Sequence, residues 1–303
     1  MRYRPFGPSG QASSALTLSL DDERTKKDDF VDTAVAALEN GINVFETTAD
    51  NPAGLEAIGE AVSGLDRKML LIGLRLPAAA KDQKRDLTRP AIVKTFQEAL
   101  RLTGLKWFDY LLIEDPEPGE IDKAVVDTLA AAQQAKRLRF TGLSGDSDEL
   151  DRLIETGAFQ ILSTRYNLRS GWPVRNRMRL AAAHNMIVTG FDYHPRVVQR
   201  ASGVFQDTAA APRKPGFLGL GTIGKPKVTG VERYGPYAFL GRIQRWTPDE
   251  ICLAYALTEP ALASVRISAA SPAEVEALAT VPEKEMPNGI PAQIEMARVI
   301  EIS

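Results

Sequence analysis

The sequence of 303 residues is poor in cysteine and histidine, which several classes of protein require. It has one cysteine, Cys252, so it cannot form an internal disulfide, and nothing indicates an oxidising compartment. Its two histidines, His184 and His194, leave little room for a histidine-rich metal site. The sequence therefore argues against a disulfide-rich scaffold, and we predict no bound metal.

Long apolar runs and an excess of charge are also missing. The longest apolar runs, such as 69–74, are far shorter than the ~20 residues of a membrane helix. There are 37 Lys and Arg against 39 Asp and Glu, and this net charge of -2 gives no general attraction to nucleic acid or anionic lipid. A short basic cluster at Lys136, Arg137 and Arg139 is predicted to be a solvated loop. We expect a cytoplasmic protein without nucleic-acid or membrane partners, and the sequence names no protein partner.

Strand-like and helix-like segments alternate along the chain. Eight strand candidates are each followed by helical sequence, and they cover Ala15–Leu20, Ile42–Thr47, Lys68–Leu74, Phe108–Ile113, Arg139–Leu143, Phe159–Tyr166, Met186–Phe191 and Ala263–Ile267. Strands that alternate with helices pair in parallel through right-handed crossovers. Eight such units in about 250 residues are what a (β/α)8 TIM barrel requires. We therefore predict a single barrel domain over residues 1–303.

A doubly wound α/β sheet is the alternative to this barrel. It would normally have fewer strands and a glycine-rich first turn, whereas the segment SLDDERTKK after the first strand candidate has no glycine. The connection after the seventh strand candidate runs from Pro195 to Arg245, and connections of that length are often binding lids. The prediction is thus a barrel with a long loop after strand seven.

Three charged residues stand at the ends of successive strand candidates. Chemistry in such a barrel takes place where the strands end and the βα loops begin, a region that we call the barrel mouth. The second, third and fourth candidates end at Glu46, Arg75 and Glu114. Because charges there are costly unless they are paired, we expect Arg75 to bridge the two carboxylates. This group is either a structural ion-pair network or a functional site, since buried ion pairs do not by themselves indicate chemistry.

Several segments of the chain resemble the aldo-keto reductases. They are the opening MRYRPFGPSG, then AALENGINVFETTADNPAG, FDYLLIEDPE, RFTGLS and YNL, and finally TEPALASVRISAASPAEVEAL. They follow in the right order over nearly the whole chain. The resemblance implies a (β/α)8 barrel that binds NADP(H) in extended form and reduces carbonyl groups.

The resemblance also implies four catalytic positions, which the family fills with Asp, Tyr, Lys and His. In the family, the tyrosine gives a proton to the carbonyl oxygen as hydride arrives. Here those positions hold Glu46, Asn51, Arg75 and Glu114. The amide of Asn51 has no ionisable proton, so it cannot be the general acid, and the guanidinium of Arg75 does not titrate usefully. We therefore expect that ordinary NADPH-dependent carbonyl reduction has been lost.

The cofactor positions implied by the resemblance are only partly kept. The candidates for cofactor contact are Ser144, Phe191, Lys225 and Ser268. Phe191 offers an aromatic face for a nicotinamide ring, and Lys225 a charge for the pyrophosphate. The usual asparagine beside the serine is Gly145, and the usual arginine for the 2′-phosphate falls at Ala270. NADP(H) is the implied cofactor, but these replacements argue against it.

Three functions remain open on the sequence. The first is a ligand-binding or catalytically silent barrel that takes a small molecule at the barrel mouth. The second is a non-redox acid/base enzyme, a lyase or isomerase, in which Glu46 and Glu114 occupy different environments and act as acid and base. The third is an NADP(H)-dependent oxidoreductase with an altered proton donor, Tyr193 or His194.

Overall fold

Eight parallel strands form a closed barrel in the computed structural model, which describes residues 1–22, 24–25, 29–80, 83–195, 198 and 235–302. A short hairpin of β1 (Tyr3–Pro5) and β2 (Ala12–Ser14) comes first. The barrel strands are β3 (Leu16–Ser19), β4 (Val44–Thr48), β5 (Leu71–Leu76), β6 (Phe108–Glu114), β7 (Leu138–Gly145), β8 (Ile161–Arg165), β9 (Ile187–Phe191) and β10 (Leu262–Ser268). Each strand pairs with the next, and β10 closes the ring against β3.

Helices cover the outside of this barrel. They are α1 (Asp29–Glu39), α2 (Pro52–Ala61), α3 (Arg89–Thr103), α4 (Lys123–Gln134), α5 (Glu149–Glu155), α6 (Trp172–Ala183), α7 (Pro248–Leu257), α8 (Pro272–Ala279) and α9 (Ile290–Ile302). Polar side chains begin several of them: Asp122 caps α4, and Thr247 forms a capping box with Glu250 on α7. Because the helices shield the strands from outside, all six residues of β5 are buried, which explains why its sequence is apolar at every position except Arg75.

The predicted (β/α)8 architecture is confirmed, with two additions. The hairpin β1–β2 closes the amino-terminal end of the barrel, where the ring of Phe6 lies 5.9 Å from that of Tyr110 and 6.2 Å from that of Phe140. Its strands have three residues each, too few to show a periodic pattern. The second addition is α9, which contacts the 3-10 helix Gly235–Arg242. Cys252 is fully buried in α7, as its apolar surroundings predict.

The long connection predicted after the seventh barrel strand is described only at its ends. Residues 199–234 lie outside the described residues, and so does Lys225, the candidate for pyrophosphate contact. At the carboxyl end of the connection, the hydroxyl of Tyr237 donates to Glu301 Oε2 at 3.1 Å. Among the helices that the structure describes, none is long and apolar enough to cross a membrane.

Candidate functional site

Five charged side chains meet inside the barrel mouth, and we call them the mouth network. Glu46, Arg75, Glu114 and Arg266 stand at or near the carboxyl ends of β4, β5, β6 and β10, and Asp21 follows β3 by two residues. The parallel strands bring these residues to one end of the barrel, although Glu46 and Arg266 are 220 positions apart. Barrel closure therefore assembles the network.

Arg75 lies at the centre of the mouth network. Its Nη1 is 2.5 Å from Oε1 of Glu114, its Nε is 3.4 Å from Oε1 of Glu46, and its Nη2 pairs with Asp21. Arg75 is 4% exposed. Burial alone would lower the pKa of Arg75, but the attraction of the three carboxylates raises it, so the guanidinium stays charged. The expected bridge between Glu46 and Glu114 is present, and Asp21 joins it as a third carboxylate.

Arg266 supplies a second cation to the mouth network. Its Nη1 lies 3.0 Å from Oε1 of Glu46 and 3.5 Å from Oε1 of Glu114. Its guanidinium carbon also lies over the ring of Phe191, 4.6 Å from the ring centre. Arg266 therefore covers one face of the Phe191 ring, which the sequence analysis predicted to contact a nicotinamide.

A buried tyrosine in the interior of β6, Tyr110, contacts the mouth network. The hydroxyl of Tyr110 donates to Oε2 of Glu46 at 3.0 Å. Gly73 pairs with both residues in the strand register, and a Cβ on Gly73 would lie 2.0 Å from Cε2 of Tyr110. The missing side chain thus makes room for the tyrosine ring. Burial and the charge of Glu46 raise the pKa of Tyr110 well above 10, so this hydroxyl serves as a neutral donor.

Asn51, which occupies the family's tyrosine position, has a structural role in this chain. Its Oδ1 accepts a hydrogen bond from the backbone nitrogen of Gly54 at 3.0 Å and so caps α2. Its Nδ2 donates to the carbonyl oxygen of Leu20 at 2.7 Å and to Oγ1 of Thr47 at 3.3 Å. The amide therefore joins the end of the first barrel strand to the start of α2, and both of its polar atoms are in use.

The two serine candidates for cofactor contact, Ser144 and Ser268, lie at strand ends. The carboxylate of Asp115 lies close to Gly145, the residue after Ser144. Ser144 is buried on β7, where its carbonyl oxygen accepts from the backbone nitrogen of Asp115 at 2.7 Å. The next residue, Gly145, has a φ of 143°, and a Cβ there would lie 2.2 Å from Oδ1 of Asp115. The carboxylate of Asp115 thus takes the space that a side chain at position 145 would need. Ser268 is exposed and pairs with Ser19 across the seam of the barrel.

The two candidate substitute proton donors, Tyr193 and His194, both contact Asp249 at the start of α7. Nδ1 of His194 lies 2.6 Å from Oδ1 of Asp249. Burial, and then the charge and hydrogen bond of Asp249, raise the pKa of Tyr193 well above 10. Tyr193 is 8% exposed. These contacts hold both side chains against α7, and their role as proton donors stays a prediction.

Two of the places implied for NADP(H) have close neighbours among the described residues. Arg266 covers one face of the Phe191 ring, and Asp115 fills the space beside Gly145. These contacts argue against a nicotinamide there, while Lys225, the candidate for the pyrophosphate, lies outside the described residues. For metals, the described part of the chain has no group of three or more His, Cys, Asp or Glu side chains that could hold an ion.

Sequence reasoning missed two charged members of the mouth network and the tyrosine below it. Asp21 follows the apolar run ALTLSL, and Arg266 stands inside the apolar run ASVRI. An arginine inside a strand that is otherwise buried needs a partner, and this signal was available in the sequence. Tyr110, within FDYLLI, gave no such signal because tyrosine is common in packed strands.

The geometry defines a class of protein: a closed (β/α)8 barrel whose charged side chains meet at the carboxyl ends of its strands. The sequence profile of the Aldo/keto reductase family matches residues 15–295 of this chain. The match covers well over half of the sequence, and the chain belongs to the aldo/keto reductase family.

Solved structures agree on the fold. The holo form of aldo-keto reductase AKR11C1 from Bacillus halodurans superposes with a TM-score of 0.74 at 17% identity, covering 98% of this chain and 96% of that one. Its apo form gives a TM-score of 0.69 at 18% identity with the same coverage of 98% and 96%. At this identity the likeness concerns the fold alone. None of the curated proteins matches the chain significantly.

Proposed function

We propose that this chain is an aldo/keto reductase-fold protein that has lost NADPH-dependent carbonyl reduction and acts as a ligand-binding or catalytically silent homologue. The observation that carries the proposal is the mouth network, in which Arg75 contacts Asp21, Glu46 and Glu114. Glu46, Arg75 and Glu114 stand at three of the family's four catalytic positions, and the fourth, that of the proton donor, holds Asn51. The proposal also places the protein in the cytoplasm, since a chain with one cysteine needs no oxidising compartment.

The charge of the mouth opposes carbonyl reduction. As hydride arrives, the carbonyl oxygen becomes negative and needs donors or cations aimed at it. Here three carboxylates face two guanidinium groups, which leaves one formal negative charge. Both guanidinium groups already contact carboxylates, and the amide of Asn51 is bound to Leu20 and Gly54. Among the described residues, the three groups nearest the family's catalytic positions, Arg75, Arg266 and Asn51, therefore offer no proton to a bound carbonyl.

The acid/base alternative has less support. It needs Glu46 and Glu114 to face an open pocket, with one of them free to take or give a proton. Glu46 is 4% exposed, and both carboxylates are bound to Arg75 and Arg266. Because both carboxylates are engaged in ion pairs, neither stands as a free acid or base toward a substrate.

A cavity beside the mouth supports the ligand-binding part of the proposal. Its volume is about 320 Å³, which is within the range of small-molecule sites. Leu76, Leu87 and Ile92 give it apolar walls, while Asp50 and Arg85 supply polar groups. Nη1 of Arg85 also donates to the carbonyl oxygen of Glu114 at 2.8 Å, so the cavity adjoins the mouth network. A small, mostly apolar molecule with a polar end fits this chemistry.

NADPH binding and carbonyl reduction test the proposal separately. NADPH fluorescence is followed up to about 1 mM, a concentration at which even weak binding is visible. We expect no saturable change for the wild type, and no oxidation of NADPH when an aromatic aldehyde is added. The matched control is the variant Glu46→Asp/Asn51→Tyr/Arg75→Lys/Glu114→His, which restores the family residues but leaves Arg266 over Phe191 and Asp115 beside Gly145.

The wild type decides the outcome. Saturable NADPH binding together with aldehyde reduction by the wild type would contradict the proposal. If the wild type binds NADPH but does not reduce the aldehyde, the proposed loss of carbonyl reduction stands. The argument that NADP(H) does not bind is then wrong. If the restored variant binds NADPH and the wild type does not, then the four family positions control binding, and the covered ring of Phe191 does not.

A further inference from the structure

Basic and aromatic side chains surround an open cavity at the end of the barrel opposite the mouth. The cavity has a volume of about 540 Å³ and is lined by Trp107, Gln133, Lys136, Leu138, Arg139 and Phe140. These residues stand at the amino-terminal ends of β6 and β7 and at the end of α4. The seven residues of β6 separate the cavity from the mouth by about 20 Å, at about 3.3 Å per residue. The cavity is therefore distinct from the site described above.

Exposed cations are concentrated around this cavity. Lys68, Lys106, Lys136 and Arg137 are all exposed, and none of them has an ion-pair partner within 4.0 Å among the described residues. A chain of hydrogen bonds connects two sides of the group, since Gln11 donates to the carbonyl oxygen of Lys68 at 2.7 Å and accepts from Arg139. These exposed cations are thus grouped at one end of the barrel, although the whole chain has a net charge of -2.

The nearby carboxylates do not neutralise this surface. Asp109 is 1% exposed and is already paired with Arg67 at 2.6 Å and with Arg139 at 2.9 Å. Two guanidinium groups thus share one buried carboxylate. Asp66 accepts a hydrogen bond from the backbone nitrogen of Lys68 at 3.0 Å and adds one further carboxylate beside this surface. The remaining positive charge is available to a negatively charged ligand.

Arg139 belongs to β7, as the strand candidate Arg139–Leu143 predicts, and not to a solvated loop. Its Nη1 is bound to Asp109 and Gln11. Its side chain is 35% exposed, and its Nε and Nη2 have no hydrogen-bond partner among the residues that the structure describes. Arg139 is thus held in place by a buried carboxylate while part of its guanidinium faces the cavity. Lys136 and Arg137 are exposed, as predicted.

The cavity also has an aromatic wall. Trp107 is half-buried and lines the cavity. The guanidinium carbon of Arg67 lies over one face of its ring, 4.8 Å from the ring centre, so a ligand would stack on the opposite face. Phe140 contributes a second ring, which contacts the guanidinium of Arg139 at 5.4 Å. Aromatic rings beside cations form a surface on which a flat base stacks while its phosphate meets a charge.

We infer that this cavity binds a nucleoside monophosphate. The base would lie against Trp107, and the phosphate would lie between Lys136 and the free edge of Arg139. The volume of about 540 Å³ is within the range of small-molecule sites. A planar aromatic group joined to a phosphate matches both walls of the cavity, whereas phosphate alone would use only one. This inference does not depend on the proposed function, because the two sites lie at opposite ends of the barrel.

Isothermal titration of the full chain tests the inference with adenosine 5′-monophosphate, adenosine and inorganic phosphate. We expect saturable binding of the monophosphate, much weaker binding of the other two, and loss of affinity at high salt. Trp107→Leu should weaken binding by about tenfold or more, the effect of losing one stacked base. Lys136→Gln should weaken it about fivefold, the effect of losing one exposed charge contact.

A control at the opposite end of α4 makes the test specific. Lys136 follows the last residue of α4 by two positions, whereas Lys123 is its first residue, is exposed, and is paired with Asp127 at 2.6 Å. Lys123→Gln removes the same charge as Lys136→Gln and should change the affinity less than about twofold. The inference is overturned if the monophosphate does not bind at millimolar concentration, or if neither Lys136→Gln nor Trp107→Leu weakens it. Equal affinity for inorganic phosphate and for adenosine 5′-monophosphate would show that the base does not stack on Trp107, and it would overturn that part of the inference. Lys136 is exposed, so its variant is informative even if Trp107→Leu fails to fold.

Discussion

At the scale of single residues, the mouth network shows how buried charges stabilise one another. Burial raises the pKa of Asp21, but the attraction of Arg75 and the hydrogen bonds from Ser19 and Arg75 outweigh it, so the pKa is lowered. A carboxylate with a lowered pKa in the folded state stabilises the fold above its unfolded pKa, and this contribution is lost as pH falls through its folded pKa. The carboxylate of Asp21 therefore contributes to stability at neutral pH.

Asn51 gives a prediction at the residue scale. Asn51→Ala removes the cap of α2 and the bond to Leu20, and we expect a loss of about 1–2 kcal/mol in the free energy of unfolding. Urea denaturation measures it. Thr88 at the start of α3 is the matched control, because its side chain makes no capping bond. Thr88→Ala should cost less than about 0.5 kcal/mol. Equal losses in the two variants would show that Asn51 has no special structural role.

At the scale of elements, β5 and β6 pack closely because a glycine on β5 leaves room for a tyrosine ring on β6. Gly73 on β5 pairs with Tyr110 on β6, and the ring of Tyr110 crosses the space where a side chain at position 73 would stand. This arrangement lets the tyrosine reach Glu46 on β4. A glycine inside a strand costs conformational entropy, and here the cost is offset by a buried hydrogen bond.

Replacing this glycine tests the arrangement. Gly73→Ala should lower the free energy of unfolding by about 1–3 kcal/mol, because a buried methyl group must displace the Tyr110 ring. In Gly73→Ala/Tyr110→Ala, the loss should be smaller than the sum of the two single losses, since the clash disappears with the ring. Gly241→Ala is the control, because a Cβ there meets nothing within 4 Å. Additive losses from the double variant would refute the proposed clash.

At the scale of the whole molecule, the two ends of the chain are joined. Arg4 on β1 donates to the carbonyl oxygens of Leu257 at 2.5 Å, Leu262 at 2.6 Å and Glu259 at 3.1 Å. These carbonyl groups lie at and beyond the end of α7, where helix carbonyls have no partner within the helix. One guanidinium thus attaches the amino-terminal hairpin to the last strand–helix unit.

Arg4 therefore provides a prediction about the closed barrel. Arg4→Ala should cost about 2–3 kcal/mol, because it removes charge-assisted hydrogen bonds to carbonyl groups that are partly buried. The midpoint of urea unfolding measures this cost. Arg2 is exposed, and Arg2→Ala should change stability by less than about 0.5 kcal/mol. If the two variants unfold at the same midpoint, the hairpin is not attached to the barrel through Arg4.

The sequence predicted the barrel strands because each is buried on both sides and therefore appears as an apolar run. It also placed Glu46, Arg75 and Glu114 together, since parallel strands end at one face. It did not predict Asp21 and Arg266 as their partners. Arg266 is on β10, and β10 lies about 250 residues after β3 along the chain. The two strands pair only when the barrel closes. Local patterns carry no information about that contact.

The chemical capacity of the mouth follows from the sequence alone: the amide of Asn51 cannot release a proton, and the guanidinium of Arg75 stays charged. Only the tertiary structure decides whether those groups are accessible. Closing the barrel places Arg266 over Phe191 and against Glu46. The physical reason is that a side chain's type sets its charge, whereas its neighbours, which come from distant strands, set its burial and its partners.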